Sequence, residues 1–157
     1  MTPTFPADFL DLITELNRAD ARYLLVGGHA VAVHGRPRAT KDFDLWVEAS
    51  QENASRVMLA LRAFGAPLGT LSEDDLARPG LGFRMGTPPF RIEILTEISG
   101  VEFAQAWPGR QTLDAGGVAI TVIGREDLLR NKAAAARPQD LADVDALERQ
   151  DRSSKRR

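Results

Sequence analysis

Two short apolar segments on either side of a glycine pair constrain the first third of the chain. Residues 23–26, Tyr-Leu-Leu-Val, end at Gly27-Gly28 and predict a buried strand, because the run is short and wholly apolar. A compact Ala/Val-rich segment follows and predicts a short helix over residues 30–33. Residues 42–47 carry apolar side chains at every second position, which predicts a second strand with one polar face. The chain therefore mixes helices with a sheet from its beginning.

The remaining sequence continues this mixture of elements. Apolar residues at helical spacing predict helices over 9–16, 57–64, 72–76, 125–136 and from Pro138 onward. Alternating apolar residues predict strands near 83, over 90–95, and in a hairpin of 111–113 with 118–122. Ser99 and Glu102 have the spacing of a capping box ahead of a further helix. We therefore expect an α/β (α+β) fold with a mixed β-sheet of about 4–6 strands, flanking helices and a C-terminal helix pair.

Composition limits the classes of protein to which the chain can belong. Its 157 residues fit one domain, which we place at 1–149, followed by a basic flexible tail at 150–157. The sequence contains no cysteine, which excludes disulfide bridges and thiolate zinc sites. The net charge of −2 offers no overall basic surface for nucleic acid. Because no apolar run is long enough for a membrane span and the first residues lack a secretory layout, we expect a cytoplasmic protein.

The polar face of the second strand carries two carboxylates. Successive side chains of a strand point to opposite faces, so Asp42 and Asp44 share a face, with Cα atoms roughly 6.5 to 7 Å apart. Carboxylates so placed can bind Mg²⁺, which prefers oxygen ligands and often takes substrate phosphates as well. A two-metal site for phosphoryl transfer needs a third carboxylate, and Glu93 on the strand over 90–95 is the best candidate. The alternative is that all three are ordinary solvated strand residues.

Glycines and basic residues lie close to these carboxylates in the sequence. Gly27 and Gly28 let the backbone approach a phosphate at the start of a helix, although an ordinary strand-to-helix turn uses the same residues. Arg36 and Arg38 can bind triphosphate oxygens through their guanidinium groups, and Arg38, nearer to the aspartates, is the better candidate. Thr40 is predicted either to orient an aspartate or to cap the start of the strand.

A further group of charged residues lies at the corner of the C-terminal helix pair. Lys132 falls on a stripe of small and apolar residues, so its ammonium group is expected to point into the protein and to need an anion. That anion is either Asp140 or Asp143 on the next helix, in an internal salt bridge, or a phosphate of a substrate. Arg137, at the corner between the helices, can serve either arrangement.

In combination, these motifs resemble the minimal nucleotidyltransferases of the polymerase-β superfamily. The residues that carry the resemblance are Val26-Gly27-Gly28-His29-Ala30-Val31, His34-Gly35 and Arg38-x-Thr40-x-Asp42-x-Asp44. The later pattern Lys132-x-x-Ala135-x-Arg137-x-x-Asp140-x-x-Asp143 resembles the group that includes abortive-infection nucleotidyltransferase toxins and their stand-alone relatives. The resemblance covers most of the chain, from about residue 21 to about residue 147.

The resemblance implies a reaction and a role for each residue. It implies transfer of a nucleoside monophosphate from a nucleoside triphosphate to a hydroxyl acceptor, with Mg²⁺ or Mn²⁺ as cofactor. Asp42, Asp44 and Glu93 would ligate the metal, and Glu93 would also help to activate the attacking hydroxyl. The implied acceptor is a tRNA or a partner protein, as for a toxin–antitoxin component. The nucleotide site is predicted to comprise Gly27, Gly28, Arg38, Thr40, Lys132 and Arg137.

Two departures from the family pattern leave other functions open. Gly28 stands where many members have Ser, and Glu93 stands where Asp is common, which lengthens the third ligand. The chain also has little beyond the core, so an acceptor-binding domain is absent or supplied by a partner. One alternative is a nucleotide-binding module without catalysis, such as an antitoxin or regulatory subunit. The other is a nucleotidyltransferase that modifies a small molecule such as an antibiotic.

Overall fold

The computed structural model of the chain describes residues 4–36, 42–86 and 89–155, with only the backbone given for 154 and 155. Its strands are β1 (Tyr23–Val26), β2 (Asp42–Val47), β3 (Gly82–Met85), β4 (Arg91–Leu95), β5 (Gln111–Ala115) and β6 (Val118–Val122). Its α-helices are α1 (Ala7–Arg18), α2 (Gly27–Val33), α3 (Gln51–Phe64), α4 (Glu73–Leu76), α5 (Phe103–Ala106), α6 (Arg125–Ala135) and α7 (Pro138–Lys155). A 3₁₀ turn, Trp107–Gly109, follows α5.

Within these ranges the six strands form one mixed sheet in the order β3-β4-β2-β1-β6-β5. β2 pairs in parallel with β4, and β1 with β6, whereas the other pairings are antiparallel. Parallel neighbours need a crossover connection, and α3 and α4 lie between β2 and β4 along the chain. The expected α+β fold, a mixed sheet flanked by helices, is confirmed.

Helices cover both faces of the sheet, and successive side chains of β2 point alternately to the two faces. Phe43 points to one face, where its ring stacks on Phe9 of α1 with 4.5 Å between the centroids. Trp46 points to the opposite face, toward α5. Because side chains alternate along a strand, Asp42 and Asp44 share the face of Trp46. Along this face Trp46 is buried, Asp44 partly buried and Asp42 exposed, so the aspartates lie where the helical cover ends.

The glycine pair belongs to helix α2 rather than to a turn in front of it. The short helix predicted over residues 30–33 extends back to Gly27, with Val26, the last residue of β1, as its N-cap. Gly27 has a φ of 72°, a left-handed conformation that residues with a Cβ atom rarely adopt. The chain thus passes from strand into helix without a loop, which keeps the start of α2 next to β2.

The predicted capping box at Ser99 and Glu102 is wrong. Glu102 is instead the N-cap of α5, and it pairs reciprocally with Gln105. Gly100, between the two predicted partners, has a φ of 76°. A left-handed residue interrupts a right-handed helix, so α5 begins three residues later than the sequence signal indicates.

Helix α7 continues into the segment 150–157 that the sequence predicts to be a flexible tail. The helix runs to Lys155, and part of this segment contacts the body of the domain. Gln150 donates a hydrogen bond to the carbonyl oxygen of Gly35 at 2.8 Å, and Asp151 forms a salt bridge with α6 at 2.9 Å. These contacts favour a helical over a solvated, irregular conformation for this segment.

Among the described helices, α7 included, none is long and apolar enough to cross a membrane.

Gly124 is a position at which a side chain would disturb α6, the helix that carries Lys132. It is the N-cap of α6, and a Cβ atom there would collide with the carbonyl oxygen of Gly109. We expect Gly124→Ala to lower the free energy of unfolding by about 2–3 kcal/mol, because the clash is with backbone that cannot rotate away. Urea and thermal unfolding measure the change.

Gly116→Ala is the matched control for this substitution. It lies in the β5–β6 turn, where nothing stands within 4 Å of a new Cβ atom. Only the penalty for a left-handed backbone, roughly 1 kcal/mol, is expected there. Equal losses for the two variants would contradict the proposed clash.

Candidate active site

Parallel pairing of β2 with β4 brings the predicted carboxylates to one face of the sheet. Asp44 and Glu93 are register partners on the two strands, and Asp42 precedes Asp44 by two residues on the same face. Asp42 is exposed, whereas Asp44 and Glu93 are partly buried. The structure therefore gathers the three acidic residues that the sequence singles out.

The carboxylates influence one another electrostatically, and the effect is largest at Asp44. Burial raises the pKa of Asp44 to about 6, with further contributions from the negative charges of Glu93 and Asp42. The positive charges of Lys132 and Arg137 act in the opposite direction and are outweighed. Burial and two neighbouring carboxylates thus disfavour the ionised form of Asp44.

The donor set around Asp44 fits a divalent metal ion. Carboxylate oxygens are the ligands that Mg²⁺ and Mn²⁺ prefer, and a cation would relieve the repulsion between these acids. In the described ranges, however, no three Asp, Glu or His side chains stand close enough to hold a metal ion as they are. The carboxylate of Glu93 lies 3.6 Å from the guanidinium group of Arg84 on β3. A metal site here therefore needs Glu93 to leave Arg84, or further ligands from a substrate.

Gly27 lies directly against Asp44. A Cβ atom at Gly27 would overlap Oδ2 of Asp44, so only glycine lets the backbone of α2 approach this carboxylate. Gly28 is the second residue of α2 and is buried. Contact of both glycines with nucleotide phosphates stays a prediction, and Gly27 does line the same cleft as Asp44.

A cleft of about 380 Å³ lies between Asp44 and the C-terminal helix pair. Gly27 and Asp44 line it from the sheet, and Lys132, Arg137 and Asp140 line it from the helices. The cleft thus has the carboxylate of Asp44 on one side and two cations, Lys132 and Arg137, on the other. A metal–polyphosphate needs both kinds of group, one for the cation and one for the phosphate oxygens.

Lys132 is almost fully buried and is paired inside the protein. Its Nζ lies 3.0 Å from Oδ1 of Asp140 and 3.4 Å from Oδ2 of Asp143. Both carboxylates are buried too, and each would be costly without a partner of opposite charge. The internal salt bridge predicted as one alternative is therefore present, while Lys132 also lines the cleft beside Asp44.

Arg137 binds Asp140 from the surface. Its Nε donates to Oδ2 of Asp140 at 2.6 Å, and its backbone N–H donates to the same oxygen at 3.2 Å. Burial alone would raise the pKa of Asp140, but hydrogen bonds from Arg137 and Lys132 and the charges of both hold it below the ordinary value. The Arg137 side chain remains 75% exposed, so a ligand in the cleft can reach its guanidinium group.

The remaining predicted contacts lie in the connection between α2 and β2. Arg38 and Thr40 lie outside the described residues. Arg36 is described, and its Nε lies 3.6 Å from Asp143 while its Nη1 donates to the carbonyl oxygen of Ala142 at 2.5 Å. Of the two arginines considered for the triphosphate, Arg36 is thus bound to α7.

Sequence patterns do not single out two residues of this region, Arg84 and Asn131. Arg84 is the register partner of Glu93, and the antiparallel pairing of β3 with β4 is the signal that would identify it. Asn131 lines the cleft and donates a hydrogen bond to the carbonyl oxygen of Ser99 at 3.0 Å. Its spacing of four residues from Ala135, another lining residue, is the corresponding helical signal.

Solved structures of other proteins share this architecture. A Thermotoga maritima protein assigned as a nucleotidyltransferase has a TM-score of 0.57 at 14% identity, over 95% of this chain and 91% of that chain. The lincosamide antibiotic adenylyltransferase LnuA, solved with lincomycin bound, has a TM-score of 0.58 at 12% identity, over 94% and 98%. An antigenic nucleotidyltransferase-like protein from Paracoccidioides brasiliensis has a TM-score of 0.51 at 17% identity, over 92% and 78%.

No protein-family model matches the chain, and no curated protein matches it in sequence. The likeness to the three solved structures is therefore a likeness of backbone. At such low identities it establishes the fold alone: the chain has the minimal nucleotidyltransferase fold that its motifs predict.

Asp44→Asn tests the cost of the ionised carboxylate. Because folding raises the pKa of Asp44 to about 6, the native state binds this proton more tightly than the unfolded state does. Ionised Asp44 therefore lowers stability, and the loss grows as the pH rises from about 4 to about 6 and is complete above that range. Without added divalent cation, we expect Asp44→Asn to raise Tm by about 2–4 °C at pH 8 and by nothing measurable near pH 4.

Scanning calorimetry at the two pH values measures this difference. Asp11→Asn, at an exposed position of α1, is the control and is expected to show no gain that depends on pH in this way. A variant that is less stable than the parent at pH 8, or equally stabilised at both pH values, would contradict the expectation.

Proposed function

Because the chain has the nucleotidyltransferase fold, we propose that it transfers a nucleoside monophosphate from a nucleoside triphosphate to a hydroxyl acceptor, with Mg²⁺ or Mn²⁺. The observation that carries the proposal is the cleft in which Asp44 faces Lys132 and Arg137. Phosphoryl transfer depends on positioning and on neutralising charge, and groups of both signs around one cleft supply these.

Each charged group has a role in this proposal. Asp42, Asp44 and Glu93 would hold the metal ion once Glu93 leaves Arg84, and the bound ion would neutralise negative charge on the phosphate oxygens. Lys132 and Arg137 contact the triphosphate from the helix side of the cleft. Because a buried carboxylate already holds both cations, little ordering is needed when the nucleotide binds.

The proposed reaction is a substitution at the α-phosphorus atom. The acceptor oxygen bonds to this phosphorus while the bond to the bridging oxygen of the β-phosphate breaks, so pyrophosphate leaves with that electron pair. The hydroxyl proton passes to a carboxylate oxygen of Glu93. Gly27 and Gly28 let the backbone of α2 lie against the phosphates, whereas the contacts predicted for Arg38 and Thr40 fall outside the described residues.

We propose a tRNA or a partner protein in the cytoplasm as the acceptor, as for a toxin–antitoxin component. Exposed charged groups at the site support this. A macromolecular acceptor supplies its own fold and needs only an exposed reactive edge. The exposed Asp42 and the exposed guanidinium of Arg137 provide such an edge.

A small-molecule acceptor is the second candidate, and one structural neighbour favours it. The lincosamide adenylyltransferase matches this chain over nearly the full length of both proteins. A domain of this size is therefore sufficient in that protein for an antibiotic acceptor.

The proposed activity is tested by incubation with α-³²P-labelled nucleoside triphosphates, Mg²⁺ or Mn²⁺, and either total tRNA or a cell protein extract. We expect label to enter one of these acceptors, and Asp42→Asn combined with Asp44→Asn to reduce transfer at least about a hundredfold, because the metal ligands are lost. Asp114→Asn is the control, since this carboxylate lies on the distant edge strand β5 and its amide can still accept the turn hydrogen bond from Gly117. Transfer that is equal in the double variant and the parent would rule out the proposed site.

A parallel assay replaces the macromolecules with hydroxyl-bearing antibiotics, lincomycin included, and follows pyrophosphate release. Release that requires both the antibiotic and the aspartates would favour the second candidate. Metal-dependent binding of triphosphate without any transfer, measured by calorimetry, would instead identify a nucleotide-binding module that lacks catalysis.

A further inference from the structure

The buried carboxylate of Asp143 connects two parts of the chain that the sequence does not link. Its side chain is 0% exposed. Oδ2 lies 3.4 Å from Nζ of Lys132 on α6, and Oδ1 lies 3.6 Å from Nε of Arg36 in the segment after α2. Gln139 also donates to Oδ1, at 3.3 Å. Asp143 of α7 therefore contacts both Lys132, which lines the cleft, and Arg36, which follows α2.

Lys132 does not need Asp143 for its own charge balance. Asp140 already lies 3.0 Å from the ammonium group, and Asp140 is itself bound by Arg137. A second buried carboxylate adds a desolvation cost that Lys132 alone does not explain. A further charged partner of Asp143 is Arg36, so the charges alternate along one chain of contacts, from Arg137 through Asp140, Lys132 and Asp143 to Arg36.

Helix α7 holds the segment at Arg36 by further contacts. Arg36 donates a hydrogen bond to the carbonyl oxygen of Ala142 at 2.5 Å. Gln150, two turns further along α7, donates to the carbonyl oxygen of Gly35 at 2.8 Å. The segment after α2 is thus bound to α7 at Gly35 and Arg36. Arg36 lies six residues before Asp42, the first residue of β2.

We propose that Asp143 is a positioning residue of the nucleotide site: it holds Lys132, one of the two cations of the cleft, and Arg36, at the end of the segment after α2, in a fixed relation to each other. The inference rests on the proposed function, because it assigns Lys132 to the triphosphate. Asp143 itself touches no substrate. Its effect is transmitted through Arg36 on one side and Lys132 on the other.

Asp143→Asn tests the proposal, because the amide keeps the volume and one acceptor oxygen but loses the charge. We expect the Kd for a non-hydrolysable triphosphate with Mg²⁺ to rise about tenfold, and amide hydrogen exchange in peptides spanning residues 31–36 to accelerate by about the same factor. The matched control is Asp145→Asn, two residues along the same helix, where an exposed carboxylate pairs with Arg149 of its own helix at 2.6 Å. That control is expected to change neither quantity.

A double-mutant cycle with Arg36→Gln identifies the route of the effect. If Asp143 acts through Arg36, Asp143→Asn adds little to the faster exchange already caused by Arg36→Gln. Arg36→Lys keeps the charge toward Asp143 and is expected to restore most of the slow exchange. The Arg36 side chain is 28% exposed, so its variants are expected to fold. If Asp143→Asn does not fold, hydrogen exchange in these variants tests the contact from the other side.

The outcomes separate this inference from the proposed function. Absence of triphosphate binding by the parent protein would refute the nucleotide site, whereas the exchange comparison would still report whether Asp143 holds residues 34–36 against α7. Unchanged exchange and unchanged Kd in Asp143→Asn would refute the positioning role while leaving the proposed activity in place. A uniform loss of stability with exchange accelerated equally in all peptides would also refute it, since that result describes an ordinary buried salt bridge.

Discussion

Parallel backbone pairing places Asp44 of β2 beside Glu93 of β4, so two carboxylates that repel each other are held next to each other by the sheet. Backbone hydrogen bonds do not depend on side-chain charge, and they keep this register although burial and repulsion raise the pKa of Asp44 to about 6. The close packing of Gly27 against Asp44 depends on the same strand position. A concentration of negative charge at this point is thus a product of the fold, and a metal-bound phosphate is the kind of ligand that would neutralise it.

The C-terminal helix pair provides the opposite charge. Lys132 and Arg137 lower the pKa of Asp44 from across the cleft, and neither is free to collapse onto it because Asp140 holds both. Buried ion pairs often contribute little net stability, since removing the charges from water offsets much of their attraction. The pairs are better explained by position than by stability, because they keep two cations facing Asp44 across the cleft.

Sequence periodicity predicts most of the elements because each strand and helix needs one apolar face against the core. The pattern over residues 42–47 and the apolar spacing of α1 are of this kind, and both elements are present. The capping signal at Ser99 failed for a local reason, since Gly100 adopts a left-handed conformation that a spacing rule does not contain. The tail was predicted from its composition, whereas its contacts with Gly35 and α6 come from segments far away in the chain.

The sequence by itself determined the candidate residues: Asp42 and Asp44 share a strand face because side chains alternate, and Lys132 points inward because its helical stripe is apolar. It also limited the partner of Lys132 to a carboxylate of the next helix, Asp140 or Asp143, or a phosphate of a substrate. Only the tertiary structure decided that Glu93 stands beside Asp44 and contacts Arg84, and that Asp143 joins Lys132 to Arg36. The reason is physical: periodicity within one element is local, whereas register between strands and contact between helices depend on how distant segments pack.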